Sequence, residues 1–387
     1  MREIYLDNAA TTRTLPAACE TAAKVMLQDF GNPSSLHHKG FEAEQYIRDT
    51  RKAIAASIKC AEDEIVFTSG GTESNNMALF GAAEARKRNG KHIITTRIEH
   101  ASVYQPILRL EELGYEVTFL PVDAYGHVSA EELTKALRDD TIVVSVMAVN
   151  NEIGAIEPIA ELAALVHARN PKAVFHTDAI QAYGKIPMFP SRVGVDLMSV
   201  SGHKLHAPKG SGFLYVKKGL AIRPLIYGGG QEKDRRSGTE NVPAIAGLGE
   251  AVRYWFADAA EYRERMYRSK ELFLKGVSMV PGAVVNGVQN DLRETAPHIA
   301  SVSFAGVRAE VLLHALAEKG IYTSSGSACS SNHPAISGTL KAIGVADNLL
   351  DSTLRFSFDE NTSEEEIAET VSALAELVPV LGKFRRS

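Results

Sequence analysis

Hydrophobic and polar positions follow a regular rhythm from residue 65 to residue 216. Ile65-Val66-Phe67, His92-Ile93-Ile94-Thr95, Val117-Thr118-Phe119-Leu120, Ile142 to Val149, Ala173-Val174-Phe175-His176, Asp196 to Val200 and Gly212 to Val216 are short, mainly apolar runs. Runs of this length and composition predict strands, and the nearly all-apolar run Ile142–Val149 predicts one buried on both faces. Between them lie stretches of helical spacing: Thr72 to Arg88, the segment carrying Val103, Ile107 and Leu110, a segment that Ser129 and Glu132 open as a capping box, and Ile159 to Ala168. The alternation predicts a mostly parallel sheet with helices on both faces. Such sheets bind ligands at the carboxyl ends of their strands.

The rhythm changes after Pro243. One long helix is expected from Pro243 to Lys275, carrying the single tryptophan, Trp255. Strands follow at Ala283–Val285 and Ile299–Phe304, a helix at Arg308–Glu318, and strands at Ile321–Thr323 and Leu354–Ser357. A last helix opens at Ser363, with Glu366 completing a capping box, and runs to Leu377. At the other end, Tyr5-Leu6-Asp7 reads as a strand running into a polar turn, Gly31–Ser35 as a loop and Phe41–Ile58 as a helix. The adjacent His37 and His38 cannot share a helical face, so they read as loop histidines rather than a metal pair. The fold class is α/β: a large domain built on a mostly parallel sheet, joined by the long helix to a smaller α+β domain.

Composition narrows the function. The chain has 387 residues, 45% hydrophobic and 23% charged, with a net charge of −5. That suits a globular protein of two domains and argues against nucleic-acid binding. No apolar run approaches the roughly 20 residues that span a bilayer, and no signal-peptide core precedes Ile4. Three cysteines are too few for a disulfide framework, so a reducing, cytoplasmic setting is expected.

Several turns carry candidate chemistry. Lys204, after Ser201-Gly202-His203 and between two strands, is either a solvated loop lysine or a desolvated amine available to a carbonyl. Asp178, at an upstream strand end, is either a helix N-cap or the acid partner of a pyridinium nitrogen. A lysine and an acid of this kind are what an electron-sink cofactor requires. Gln181 shares a face with Asp178 if the segment turns helical. The turn Ser69-Gly70-Gly71-Thr72-Glu73 opens a helix and is either a phosphate seat or a plain tight turn. His100 is an acid–base group or an aromatic plate, and Ser102 reads as a helix N-cap. Asn151, in the stretch Asn150–Gly154 after the most buried strand, either offers an amide to a substrate or a ring or belongs to a plain polar turn. Thr239 lies in the loop Arg235–Asn241, another plausible phosphate contact. Arg355 can grip a carboxylate with both arms. Cys329, in the small-residue loop Ser324–Asn332, is a candidate nucleophile, whereas Cys19 and Cys60 sit in or beside helical patterns and read as structural.

Taken in order, these motifs resemble a known family. Tyr5-Leu6-Asp7-Asn8-Ala9-Ala10-Thr11-Thr12, Gly31–Ser35, Ser69–Asn76, Val149–Gly154, Ser201–Lys204, Gly228–Glu232, Arg236–Thr239 and Ser325–Cys329 are similar to cysteine desulfurases of the NifS/IscS type. These belong to the class V aminotransferase group of fold-type I enzymes dependent on pyridoxal 5'-phosphate. The resemblance covers almost the whole chain. It implies a large cofactor-binding domain over residues 14–257 and a small domain formed by residues 1–13 and 258–387, which carries the cysteine loop.

The resemblance also implies residue roles. Lys204 would hold pyridoxal phosphate as a Schiff base and transfer protons. Asp178 would pair with the pyridinium, Gln181 would meet the ring oxygen, and His100 would stack on the ring. Gly71, Thr72, Ser201 and His203 would hold the phosphate, and Thr239 would reach the phosphate of a neighbouring subunit in a homodimer. Asn151 and Arg355 would position the carboxylate of L-cysteine. Cys329 would take its sulfur as a persulfide, releasing alanine, for delivery to an iron–sulfur scaffold or tRNA-thiolation enzyme. No resident metal, membrane or direct nucleic-acid contact is implied. Selenocysteine lyase and class V transaminase are neighbouring readings, and a non-catalytic assembly platform is a distant one. The wording after Cys329, Ser330–Ile336, departs from the IscS pattern and leaves the acceptor open.

Overall fold

The computed structural model describes residues 2–287, 291–325 and 337–383. Seven strands form the large sheet: β1 (Ile65–Thr68), β2 (His92–Thr96), β3 (Glu116–Leu120), β4 (Thr141–Ser145), β5 (Val174–Asp178), β6 (Leu197–Ser201) and β7 (Gly212–Val216). Their spatial order is β1-β7-β6-β5-β4-β2-β3. The five strands from β6 to β3 are parallel. β7 runs antiparallel to both of its neighbours. The connection 202–211 leaves no room for a crossover helix, so β6 and β7 pair as a hairpin-like unit. Apolar clusters fill both faces of the sheet, one around Phe175 and Phe213, the other around Leu79, Ile107 and Val143.

β4 is shorter than its apolar run. Regular pairing ends at Ser145, but Val146 and Ala148 still donate to the carbonyls of His176 and Asp178, and Val149 bridges to Ile156. The run is buried as expected, while the backbone leaves the sheet to deliver Asn151.

A second, three-stranded antiparallel sheet has the order β10-β9-β8, from β8 (Ala283–Asn286), β9 (Ile299–Phe304) and β10 (Thr353–Ser357). Its core gathers Phe273, Phe304, Phe356 and Phe358 with Ile4 and Leu6 from the start of the chain. Ile4–Tyr5 pairs in parallel with Ile321–Tyr322, and Asp7 bridges to Ser357.

The expected single helix Pro243–Lys275 is two helices, Val242–Ala257 and Ala259–Val277. Asp258, a poor interior helix residue, breaks them with φ −136° and ψ 33°. The first helix buries Leu248 and Val252 against the large-sheet core, whereas the second buries Phe273 and Val277 in the other core, so their apolar faces point to different places. The helix expected from Phe41 starts at His38. His37 caps it by accepting the Gly40 amide through Nδ1 (3.3 Å), and His38 lies 3.3 Å from Glu42. Both histidines therefore serve the helix end rather than a loop. A further helix, Pro16–Leu27, opens with proline at its first position and buries Ala18, Ala22 and Val25. Ser363 and Glu366 close the expected capping box in both directions. Ser129 caps its helix, but Glu132 turns to Lys135 instead of completing the box.

Candidate active site

The carboxyl ends of the strands converge on one cavity of about 190 Å³. Lys204, His100, Asp178 and Gln181 line it, as do Gly71, Thr72, Ser201 and His203, and Asn151 and Arg355. Thr239 is exposed and does not line it. Cys329 lies outside the described residues. Lys204 ends the single 3₁₀ turn Gly202–Lys204 that follows β6. Its Nζ donates to the carbonyls of Ala9 (2.6 Å) and Ala10 (2.7 Å), which ties it to the first turn of the chain.

Asp178 ends β5 and is 3% exposed. Its Oδ1 accepts the Ile180 amide (2.9 Å) and its Oδ2 accepts Asn75 Nδ2 (2.8 Å). No helix follows, so Asp178 is not a helix N-cap. Burial pushes its carboxyl above the usual range against the pull of His100, the Ile180 amide, Asn75 and Lys204. A buried acid in this balance is suited to a cationic partner, which would return it to the ionised form.

Asn75 links that acid to His100. The second hydrogen of its Nδ2 goes to Ser102 Oγ (2.8 Å), and Ser102 Oγ lies 2.8 Å from His100 Nδ1. His100 Nδ1 also accepts the Ser102 amide (3.1 Å), so a neutral His100 carries its proton on Nε2. His100, not Ser102, is the cap of the helix Ala101–Glu112. The Ser102 hydroxyl is a relay in the network instead. Neighbouring Glu99 is half-buried, and its Oε1 accepts from Thr96 Oγ1 and the Met147 amide. Burial raises its pKa to about 8, so it is mostly protonated at neutral pH.

The helix Gly71–Arg86 aims its N-terminus at the cavity. Its first amides have no intrahelical partner, and its dipole favours an anion. Gly70, at φ 147°, makes the sharp entry, and a Cβ on Gly71 would lie 2.1 Å from Ile180 Cδ1. Arg236 holds the opposite side of the helix start through Glu73 (2.8 Å). His203 is held neutral, its pKa pushed down to about 4 by burial and by the Lys204 charge.

Arg355 reaches in from β10. Its Nη1 donates to the Asn151 carbonyl (2.8 Å) and its Nη2 to Asp7 Oδ1 (2.9 Å), while its buried Nε has no partner among the described residues. The Gln181 amide donates to the Ala9 carbonyl (2.9 Å), and its oxygen lies 3.0 Å from His298 Nε2.

The class-V aminotransferase description matches residues 4–369. The chain belongs to this family. Within it, the chain is similar to the cysteine desulfurase IscS of Dictyoglomus turgidum, at 43% identity over 98% of this chain and 95% of that one. It is 45% identical to a NifS/IcsS protein homolog of Lactobacillus delbrueckii subsp. bulgaricus over 98% of each chain. A solved NifS-like protein superposes with a TM-score of 0.92 at 36% identity, covering 98% of this chain and 100% of the other. A structure described as SspA in complex with cysteine has a TM-score of 0.81 at 31% identity, over 93% and 100% of the two chains. This class-V aminotransferase therefore sits among the NifS/IscS-type cysteine desulfurases.

Residue types and spacing did not single out Asn75, Glu99 or His298 in this class-V aminotransferase. Asn75 stands within a quoted motif, but its two contacts come from segments 27 and 103 positions away. Cys19 is exposed on its helix; Cys60 is half-buried, and burial raises its pKa to about 12, as an inert thiol's is.

Proposed function

We propose that the protein is a pyridoxal-phosphate-dependent cysteine desulfurase. It converts L-cysteine to L-alanine and leaves the sulfur as a persulfide on Cys329. The observation that carries this reading is the meeting, in one cavity, of an amine, a buried acid, an imidazole and a helix N-terminus. The donor set fits the cofactor: an anion seat at Gly71 and Thr72, an amine at Lys204, and an acid at Asp178 that burial leaves in want of a cation. When bound, pyridoxal phosphate supplies an electron sink for the substrate α-carbon.

The residues divide the rest of the work. Lys204 would hold the cofactor and then move the proton at the substrate α-carbon. Asp178, ionised, would keep the cofactor's nitrogen protonated, with Asn75 fixing its carboxylate. Gln181 would present its amide to the ring oxygen. His100 would lie on the ring, its Nε2–H set by Ser102. Ser201 and His203 would add to the phosphate seat, and Thr239, exposed on its loop, would serve the seat of a second copy. Asn151 and the unpartnered Nε of Arg355 would receive the substrate carboxylate. The Cys329 thiolate would then take the substrate's sulfur. The C–S bond breaks, an S–S bond forms, and the three-carbon remainder gains a proton to leave as alanine.

A homodimer fits the surface. Met26, Leu27, Phe30, Leu36, Phe41 and Tyr227 are exposed apolar side chains that a second copy could cover. Two apolar cores fit a division into residues 14–257 and residues 1–13 with 258–387. A cytoplasmic setting and delivery of sulfur to an iron–sulfur scaffold or a tRNA-thiolation enzyme complete the proposal. Among the described residues no helix is long and apolar enough to cross a membrane. The test is spectroscopic: the purified chain should carry the cofactor's visible absorption band, and Lys204→Ala should lose it. A band that persists unchanged in the variant would remove Lys204 as the anchor.

A further inference from the structure

Behind the cavity, and not lining it, lies a second lysine. Lys185 is 3% exposed, and its Nζ donates to the backbone carbonyl of Lys204 at 2.6 Å. That carbonyl ends the single turn Gly202–Lys204, where no further helical turn supplies a donor. Leu205, at φ −134° and ψ 40°, and His206, at φ 66°, carry the chain abruptly away. The peptide after Lys204 is therefore held from one side by Lys185. Its Nζ, at the other end of the residue, is held by Ala9 and Ala10.

Lys185 is itself firmly placed. Its Nζ stands 5.6 Å from the centre of the Trp255 ring, and its carbonyl accepts Arg263 Nε (3.0 Å). Gly184 allows this approach, because at φ 80° its missing Cβ would fall 1.7 Å from Trp255 Nε1. An amine here is costly for folding. Burial is the main cause that pushes its pKa down to about 7, with the Lys204 charge adding to it and Glu360 and Asp359 opposing. His203 and His298 face it too, and both are held below their usual range. An apolar chain of the same length would fill the space without that cost.

We propose that Lys185 is a positioning residue for Lys204: its hydrogen bond fixes the Lys204 carbonyl and so sets the pose of the amine that receives the cofactor. The proposal rests on the reading of Lys204 as the cofactor anchor.

The test uses the full chain stripped of cofactor. It is treated with pyridoxal phosphate, reduced with borohydride, and mapped by peptide mass spectrometry, with exposed Lys209 as the internal reference. In the wild type, Lys204 should be labelled far faster than Lys209. In Lys185→Met, labelling of Lys204 should be about tenfold slower while Lys209 is unchanged, because a small misplacement of a reacting group is costly. Lys185→Arg should restore most of the rate. The melting temperature of Lys185→Met should hold or rise, most of all below about pH 7, where the buried amine carries its charge, whereas loss of a lysine that stabilises the fold would leave a fall. If the methionine variant does not fold, Lys185→Gln, too short to reach the carbonyl, carries the same comparison. Wild-type labelling of Lys204 in a folded variant that lacks the bond would overturn the proposal alone. Wild-type label that avoids Lys204 would overturn the anchor reading, and the proposal with it.

Discussion

The Asn75 amide nitrogen lies 2.8 Å from the Asp178 carboxylate, and both side chains are buried. Asn75 thereby joins the acid to the Ser102–His100 pair. Removing it in Asn75→Ala leaves Asp178 with one fewer donor and Ser102 without its orienting partner. A loss of roughly 1–3 kcal/mol in these contacts corresponds to a fall in turnover of about 5- to 150-fold. Asn75→Asp should be worse, since two buried carboxyls cannot both ionise. Steady-state alanine production, read beside the cofactor's absorption spectrum, checks both.

Arg355 has committed one arm to Asn151 and the other to Asp7. Lysine cannot hold that fork and also present a third N–H to a substrate. Arg355→Lys should raise the KM for L-cysteine by about tenfold or more, with a smaller change in kcat, as expected when ground-state binding is lost. Initial rates across a substrate series separate the two parameters.

His206 lies between two acceptors, the Arg13 carbonyl at Nδ1 (2.8 Å) and Glu360 at Nε2 (3.2 Å), an arrangement that favours the protonated ring, in which both nitrogens donate. Burial lowers its pKa, but the bond to Glu360 and its charge outweigh this, for a net rise above 6.5. Burial also raises the Glu360 pKa, and His206 reverses it to a net fall below 4.5. The His206 contribution to stability is complete below about pH 6.5 and is lost as pH rises through its folded pKa. The Glu360 contribution is complete above about pH 4.5 and is lost as pH falls through its own. Glu360→Gln should therefore cost about 3 kcal/mol between about pH 4.5 and 6.5, and the gap should narrow on either side of that window. Denaturant melts at several pH values measure it.

The exposed side chains Phe30, Leu36 and Tyr227 give the proposed dimer a direct test. Phe30→Asp combined with Tyr227→Arg should yield monomers by sedimentation. Because Thr239 is taken to complete the partner's phosphate seat, those monomers should also hold the cofactor more weakly.

Much of the site was legible because a parallel sheet delivers residues to the same end. Asp178 and Lys204 stand at or just past strand ends, and the rhythm of apolar runs marks those ends in the sequence. The glycines at 70 and 71 point to a helix start for a similar local reason. Asn75, Lys185 and His298 were not legible, since their importance lies in partners brought together by packing. Ser102 looked like a cap because it is a good capping residue at the right place; His100 took that role and left the hydroxyl to the network. The break at Asp258 was hidden by two helices whose apolar faces serve different cores. Thr239 has its proposed partner in another chain, which periodicity cannot reveal.

The most direct measurement follows both products of one reaction. The cofactor-loaded chain is incubated with L-cysteine and a thiol reductant, and sulfide and alanine are quantified together, beside Cys329→Ala. Equal amounts of the two products are expected from the wild type and neither from the variant. Continued release of sulfide and alanine by Cys329→Ala would contradict the reading of Cys329 as the group that takes the sulfur.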